Sequence, residues 1–221
     1  MRQYYPVCLK IEGRKCVVVG AGRVGLRKAR VLVKCGAKVL IIGPQELDDA
    51  TAIHDVGLIE LKEEPYTASD LEGAFVVVAA TDDDEFNLRV ARDAHAAGAL
   101  VNIVDDPEDG DFIVPATVRR GGLSLSISTG GSSPMLASKI RRKLEDDFGP
   151  EYSALVDLLH RIRPMVLESN LDEVTRRRLF DYYTNEQFVK LVRDVPTEMM
   201  FEEMKSLLEL AQEQASKESQ Q

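Results

Sequence analysis

A glycine-rich turn at residues 20–25 joins an apolar run at 16–19 to a helical pattern over 23–36. Glycines at this spacing let the main chain approach a pyrophosphate and let the strand and helix pack closely. The first amides of the helix are unpaired and carry partial positive charge, which favours phosphate. In this context the turn predicts an NAD or NADP site, with a flavin site or a purely structural turn as alternatives. The predicted cofactor-binding residues of this turn are Gly20, Gly22, Arg23, Val24 and Gly25.

Polar side chains follow two further apolar runs, at 74–80 and 100–104. If both runs are parallel strands, their carboxyl ends lie at the edge of the sheet where ligands bind. Asp105 directly follows the second run, where a partly shielded carboxylate could act as a general base. A turn residue is the alternative interpretation of Asp105, as a helix cap is of Asp82. The cofactor-binding residues predicted at these strand ends are Thr81, Asp82, Asn102 and Val104.

The segment after the apolar run at 38–42 bears on the choice of nucleotide. Many NAD-binding sheets place an acidic residue there to hold the ribose hydroxyls. Here the sequence is Gly43-Pro44-Gln45-Glu46, in which Glu46 is the acidic residue within reach and no arginine is present for a 2′-phosphate. The segment therefore favours NAD over NADP without excluding either, and Pro44 is predicted to contact the cofactor.

The elements that must position these residues alternate between strand and helix. Such alternation predicts an α/β fold with a doubly wound, Rossmann-type parallel sheet. A helix is expected from a cap at Thr81 or Asp82 to about Ala97, ended by Gly98. The predicted strands lie at 15–20, 38–42, 58–61, 74–80 and 100–104, and residues 45–56 are expected to form a loop or short helix.

The pattern changes near residue 112. Strand pieces are expected at 112–115 and 116–120, and the latter forms a hairpin with 123–128, where apolar residues alternate with serines. Ser133 is expected to cap a helix from Met135 to about Phe148. From residue 152 to about 215 the sequence is helical, with interruptions expected near Pro164, Asn170 and Pro196. The predicted domains are a cofactor-binding domain at 1–113, a dimerisation hairpin and helix at 114–149 and an all-helical region at 150–221.

The small hairpin cannot bury much apolar surface by itself. Pairing with the same hairpin of a second subunit would give a symmetric homodimer. The alternative is that the hairpin packs on its own helical tail.

Composition limits the classes of function. The 221 residues are 44% hydrophobic, but no apolar stretch approaches the roughly 18 residues of a membrane span, and no secretory signal is expected. Three cysteines without a CxxC pair indicate reduced thiols in a cytoplasmic protein. The net charge is −9, yet residues 1–40 and 114–143 are basic, which favours a local anion site over nucleic-acid binding. The three histidines lack ligand spacing, so no metal site is predicted.

A series of segments resembles the dehydrogenase–chelatase family of siroheme synthesis, which comprises precorrin-2 dehydrogenases and the N-terminal halves of larger siroheme synthases. Their combination, in order over residues 5–145, is more specific than the glycine turn alone. The matching segments are Tyr5-Pro6-Val7, 17–25, Arg27-Lys28-Ala29-Arg30, 79–83 with Asn87, 101–105, 112–116 and 128–134.

The resemblance implies oxidation of precorrin-2 to sirohydrochlorin with NAD as the acceptor, by a homodimer in which Asp105 is the catalytic aspartate. Some members also insert Fe²⁺ into the product, as a ferrochelatase. It also places the tetrapyrrole at the loop 129–134, where Thr129 stands in place of a serine of some relatives. Basic residues near that loop would attract the carboxylates of precorrin-2. A non-catalytic NAD-sensing module is the alternative function. The implied substrate-binding residues are Thr129, Gly130, Gly131, Ser132, Ser133, Arg119, Arg120 and Lys139.

Overall fold

The computed structural model describes residues 4–44, 58–104, 106 and 108–218. The chain divides into two compact units, Met1–Val114 and Pro115–Gln221. Among the described residues, no helix is both long and apolar enough to cross a membrane. The predicted loop or short helix at 45–56 lies outside the described residues.

The first unit is the predicted Rossmann-type sheet. Its five parallel strands have the spatial order β3-β2-β1-β4-β5, so the chain reverses direction across the sheet between β1 and β4. In such sheets ligands bind outside the carboxyl ends of the strands at that reversal. The elements are β1 (Lys15–Val19), α1 (Arg23–Lys34), β2 (Lys38–Ile42), β3 (Ile59–Lys62), a 3₁₀ turn (Ala68–Leu71), β4 (Val76–Ala79), α2 (Asp84–Ala96) and β5 (Leu100–Ile103).

The sheet is buried on both faces. Val18 of β1 packs in a cluster with Leu26 and Ala29 of α1. Its neighbour Val17 points the other way, into a cluster with Val90 of α2. Two covered faces explain why the strands are continuous apolar runs rather than alternating ones.

The segment after β5 differs from the prediction. Residues 112–115 form no strand. Instead residues 108–113, here called the strap, contact the edge strand β5 through Asp111 and Phe112. The Asp111 amide donates to the Val101 carbonyl at 2.9 Å, and the Val101 amide donates to the Asp111 carboxylate at 2.8 Å. A side chain thus replaces the second backbone bond that a strand pair would need, and Pro115 has no amide with which to extend the ladder.

The second unit contains the predicted antiparallel hairpin, followed by helices. Ser133 caps the first helix, as predicted, by accepting from the Leu136 amide at 3.2 Å. The later helices bury their own core around Leu158, Ile162 and Tyr183. The elements are β6 (Ala116–Arg120), β7 (Leu123–Ile127), α3 (Pro134–Asp147), α4 (Glu151–Glu168), α5 (Glu173–Tyr183), α6 (Glu186–Asp194) and α7 (Thr197–Glu218).

The interruption expected at Pro164 is wrong, because α4 runs through it to Glu168. A proline inside a helix removes one backbone hydrogen bond and costs about 3 kcal/mol. Pro164 is exposed, whereas Leu158, Ile162 and Val166 are buried along the other side of the helix. Burial of that apolar face offsets the local loss. The breaks expected near Asn170 and Pro196 are confirmed, and a further break between α5 and α6 was not predicted.

Candidate active site

The glycine turn is enclosed by the ends of three strands. The Gly20 amide donates to the Ile42 carbonyl at 2.8 Å. Gly20 has φ +112°, and a β-carbon there would lie 2.3 Å from the Ala80 carbonyl oxygen. Both the backbone angle and the close approach therefore require glycine at this position.

Gly22, unlike Gly20, borders open space, because a β-carbon there would meet no atom within 4 Å. It is the N-cap of α1 and supplies no side-chain cap, and the first turn of that helix holds no acidic residue. The amides at the start of α1 thus remain available, in open space, at the positive end of the helix. This arrangement fits the pyrophosphate of a dinucleotide.

The end of β4 is ordered by a buried amide. Asn87 of α2 is 1% exposed. Its Oδ1 accepts from the Thr81 hydroxyl at 2.8 Å and the Thr81 amide at 3.2 Å, and its Nδ2 donates to the Thr81 carbonyl at 2.9 Å. These three bonds fix Thr81 at the carboxyl edge of the sheet.

The helix cap after β4 lies later than predicted. Asp83, rather than Thr81 or Asp82, caps α2 by accepting from the Phe86 amide at 2.9 Å. Thr81 is already held by Asn87 and cannot take that place. Asp82 is exposed and makes no hydrogen bond or ion pair with another residue of the described ranges, so its carboxylate remains available to a ligand.

The end of β5 carries a second buried amide. Asn102 is 5% exposed; its Nδ2 donates to the Phe112 carbonyl at 2.9 Å, and its Oδ1 accepts from Lys28 Nζ at 3.4 Å. Val104 continues the strand direction by donating its amide to the Ala79 carbonyl at 2.9 Å. Asp105, the predicted catalytic residue, lies outside the described residues, so its role stays a prediction.

The end of β2 is closely packed against the glycine turn. Gly43 has φ +147°, and a β-carbon there would lie 2.9 Å from the Ala21 amide nitrogen. Pro44 follows and is exposed, next to this contact. Glu46, which could reach the ribose, lies outside the described residues.

The loop before α3 holds its backbone with its own hydroxyl groups. Thr129 Oγ1 accepts from the Ser133 amide at 3.1 Å, and the Thr129 carbonyl accepts from the Ser132 amide at 3.0 Å. The bond to Thr129 Oγ1 uses a lone pair and leaves the hydroxyl hydrogen for another acceptor. Gly130 and Gly131 have φ of +61° and +84°, and a β-carbon on Gly131 would meet nothing within 4 Å.

The basic residues that were predicted to bind substrate differ in their contacts and exposure. Arg120 donates from Nε to the Phe148 carbonyl at 2.8 Å and from Nη2 to the Glu145 carbonyl at 2.9 Å. It therefore holds the end of α3, a role that the sequence did not reveal. Lys139 is exposed on α3, and Arg119 is exposed on β6.

Two residues of this arrangement were not assigned to the site from the sequence, Lys28 and Asn87. A signal was present for Asn87: it precedes Val90, Ala91 and Ala94 at helical spacing, which places it on the buried face of α2. A buried amide on an apolar face requires polar partners. No comparable signal existed for Lys28, because its partner is 74 positions away.

Comparison with known proteins agrees with this geometry. Residues 7–116 match an NAD(P)-binding family model, and residues 120–147 match the family described as “Sirohaem biosynthesis protein central”. The predicted nicotinamide dinucleotide cofactor is confirmed at this level. Siroheme synthase of Chromobacterium violaceum is 37% identical over 179 residues, which are 81% of this chain and 38% of that protein. Siroheme synthase of Pseudomonas paraeruginosa is 39% identical over 177 residues, 80% of this chain and 38% of that protein.

The chain thus spans 38% of the length of these siroheme synthases. A solved structure titled SirC, precorrin-2 dehydrogenase, matches with a TM-score of 0.72 and 25% identity. That match covers 92% of this chain and all of that one, so both units are included. The chain belongs to the family of precorrin-2 dehydrogenases and siroheme synthases.

Proposed function

We propose that the chain oxidises precorrin-2 to sirohydrochlorin, with NAD as the acceptor. The main support for the proposal is the open turn at residues 20–25, here called the cradle, in which a β-carbon on Gly22 would meet no atom within 4 Å. The chain that contains it is similar along 92% of its length to a protein titled precorrin-2 dehydrogenase. The cradle supplies a dinucleotide site, and the similarity supplies the substrate class.

The reaction removes two hydrogens from the substrate. When bound, the nicotinamide supplies the acceptor for one of them, as a hydride with both electrons. The other leaves as a proton, for which Asp105 is the proposed base. The turn amides hold the pyrophosphate, and Thr81 and Asn102 define the neighbouring strand ends.

The loop Thr129–Ser133 is the proposed contact for the carboxylates of the substrate. Its backbone turns through two glycines with positive φ and leads into the N-terminus of α3, whose first turn has no acidic residue. Amides there favour an anion. Lys139, one turn further along α3, adds an exposed positive charge.

A homodimer through the hairpin and α3 belongs to the same proposal. Met135, Leu136 and Ile140 of α3 are 70%, 49% and 38% exposed. The apolar side of β7 is only half-buried. A second copy of this surface would cover both, with two-fold symmetry. Sedimentation measures the oligomeric state: the wild type should sediment as a dimer and Leu136→Glu as a monomer. A wild type that sediments as a monomer would exclude the homodimer.

The test of function is NADH formation, followed at 340 nm, on mixing the protein with precorrin-2 and NAD. Asp105→Asn should lower kcat by about 10²-fold or more, whereas Asp106→Asn is a matched control on the adjacent carboxylate. Binding of NAD without NADH formation by the wild type would instead support the sensor alternative. An unchanged kcat in Asp105→Asn would remove that residue from the chemistry.

The same protein preparation can be used to test metal insertion and the choice between NAD and NADP. Sirohydrochlorin and Fe²⁺ without NAD, read by visible spectrum, measure metal insertion as a separate step. NADP in place of NAD tests the nucleotide preference. A cytoplasmic location is part of the proposal, and Cys8, Cys16 and Cys35, which are not joined in disulfides, fit a reducing compartment.

A further inference from the structure

Helix α1 carries four basic residues along one side, of which Arg23, Arg27 and Lys34 are exposed and Arg30 is half-buried, and a fifth, Lys28, that lies off that side. Arg23, Arg27, Arg30 and Lys34 recur at helical spacing on the side away from the buried residues Gly25, Leu26 and Ala29. Lys28 is partly buried, and its Nζ lies 3.4 Å from Asn102 Oδ1 of β5. Lys28 thus contacts a residue near the carboxyl edge of the sheet.

The two partners of Asn102 leave its amide a single orientation. An ammonium group only donates, so it selects Oδ1, and the Phe112 carbonyl only accepts, so it selects Nδ2. Rotating the amide by 180° would set oxygen against oxygen at Phe112 and nitrogen against nitrogen at Lys28. Lys28 and Phe112 therefore fix the orientation of a side chain that is 5% exposed.

The Asn102 amide also holds the strap against β5, through its bond to the Phe112 carbonyl. The chain leaves β5 after Ile103 and is again beside the strand at Gly110, where a β-carbon would lie 3.3 Å from the Val101 carbonyl oxygen. The strap is held by Asn102 through Phe112 and by Asp111 through Val101. Lys28 thus acts through Asn102 on the C-terminal end of the strap, at Phe112.

We propose that Lys28 is a positioning residue of the dehydrogenase site: it orients the Asn102 amide at the end of β5 and, through it, the adjoining strap. This inference rests on the proposed function, since Asn102 is a proposed site residue there. A misplacement of about 1 Å at a reacting centre can lower the rate by about 10²-fold. Loss of Lys28 should therefore act on kcat more than on binding.

The test compares Lys28→Met and Lys28→Arg with Arg27→Met, which removes the same charge from the exposed side of the same helix. Lys28→Met should lower kcat for NADH formation from precorrin-2 by roughly 10-fold to 100-fold. Its KM and its Kd for NAD should stay within about threefold, because the pyrophosphate cradle is untouched. Lys28→Arg should restore part of the rate, and Arg27→Met should match the wild type.

A double-mutant cycle of Lys28 with Asn102, measured on kcat, distinguishes a positioning role of Lys28 from a general loss of structure. In an Asn102→Ala background, Lys28→Met should lower kcat by less than about twofold, because the group it orients is gone. Additive losses in the double variant would overturn the inference, as would equal kcat in Lys28→Met and Arg27→Met.

Hydrogen exchange of the strap provides a readout that does not need activity. In the protein without substrate, amides of residues 108–113 should exchange faster in Lys28→Met than in Arg27→Met, and equal exchange would contradict the proposal. If the wild type forms no NADH, the proposed function fails, while this measurement still decides whether Lys28 holds the strap.

Discussion

The carbonyl oxygen of Gly20 occupies the space that a side chain on Gly25 would need: a β-carbon on Gly25 would lie 1.8 Å from it. Helix α1 can therefore pack on β1 only with glycine at this position. Alanine would gain about 1 kcal/mol of helix propensity, but forcing apart two backbone segments costs more, about 1–3 kcal/mol. We expect Gly25→Ala to lower the melting temperature by several degrees and to weaken NAD binding, as measured by thermal unfolding and titration. A variant as stable as the wild type would contradict this packing.

Gly22→Ala should separate cofactor binding from stability. Its backbone, with φ −68° and ψ 176°, suits any residue, and its β-carbon would enter open space. The free energy of unfolding should fall by less than about 1 kcal/mol, the usual scale for a helix N-cap. The Kd for NAD should rise about tenfold or more, equivalent to about 1.4 kcal/mol, because the methyl group stands where the pyrophosphate must approach. Unchanged NAD affinity would place the nucleotide elsewhere.

The sequence predicts the sheet well because of how it is buried. Val17 and Val18 of β1 point into clusters on opposite faces, so the strand is apolar at every position and easily recognised. The glycine turn is equally legible, since strict steric needs at Gly20 and Gly25 leave no other residue type. Both features are local, and local patterns are what a sequence displays.

The contacts that complete the site are not local. Lys28 on α1 contacts Asn102 on β5 although the two residues are 74 positions apart in the sequence. The contact forms only when β5 has paired with β4 and α1 has packed over the sheet. Arg120 likewise reaches the end of α3 only once the hairpin has folded. Its charge suggested an anion contact, whereas in the structure its donors bind three backbone carbonyls, those of Arg119, Glu145 and Phe148. Side-chain partners of this kind depend on tertiary packing and leave no periodic pattern.

Arg120 and Lys139 should therefore respond differently to replacement. Arg120→Met removes charge-assisted bonds to the Phe148 and Glu145 carbonyls, each worth about 1.5–3 kcal/mol in typical cases. It should lower the melting temperature, with little change in the KM for precorrin-2. Lys139→Met should raise that KM without changing the melting temperature, because Lys139 is exposed. A rise in KM for Arg120→Met at unchanged stability would restore Arg120 as a substrate contact.

Glu151 and Arg193 should make the second unit sensitive to acid. Arg193 Nη2 donates to Glu151 Oε1 at 2.5 Å, and this bond holds the pKa of the buried Glu151 carboxyl below its usual range. A lowered folded-state pKa stabilises the protein fully above the unfolded pKa of about 4.3, and this stabilisation is lost as the pH falls through the folded-state pKa. Arg193→Met should therefore lower the melting temperature at pH 7, and the difference from wild type should shrink below about pH 4. Lys190→Met, which removes an exposed charge from the same helix, should show neither effect; a pH-independent difference for Arg193→Met would mean that the ion pair is not its cause.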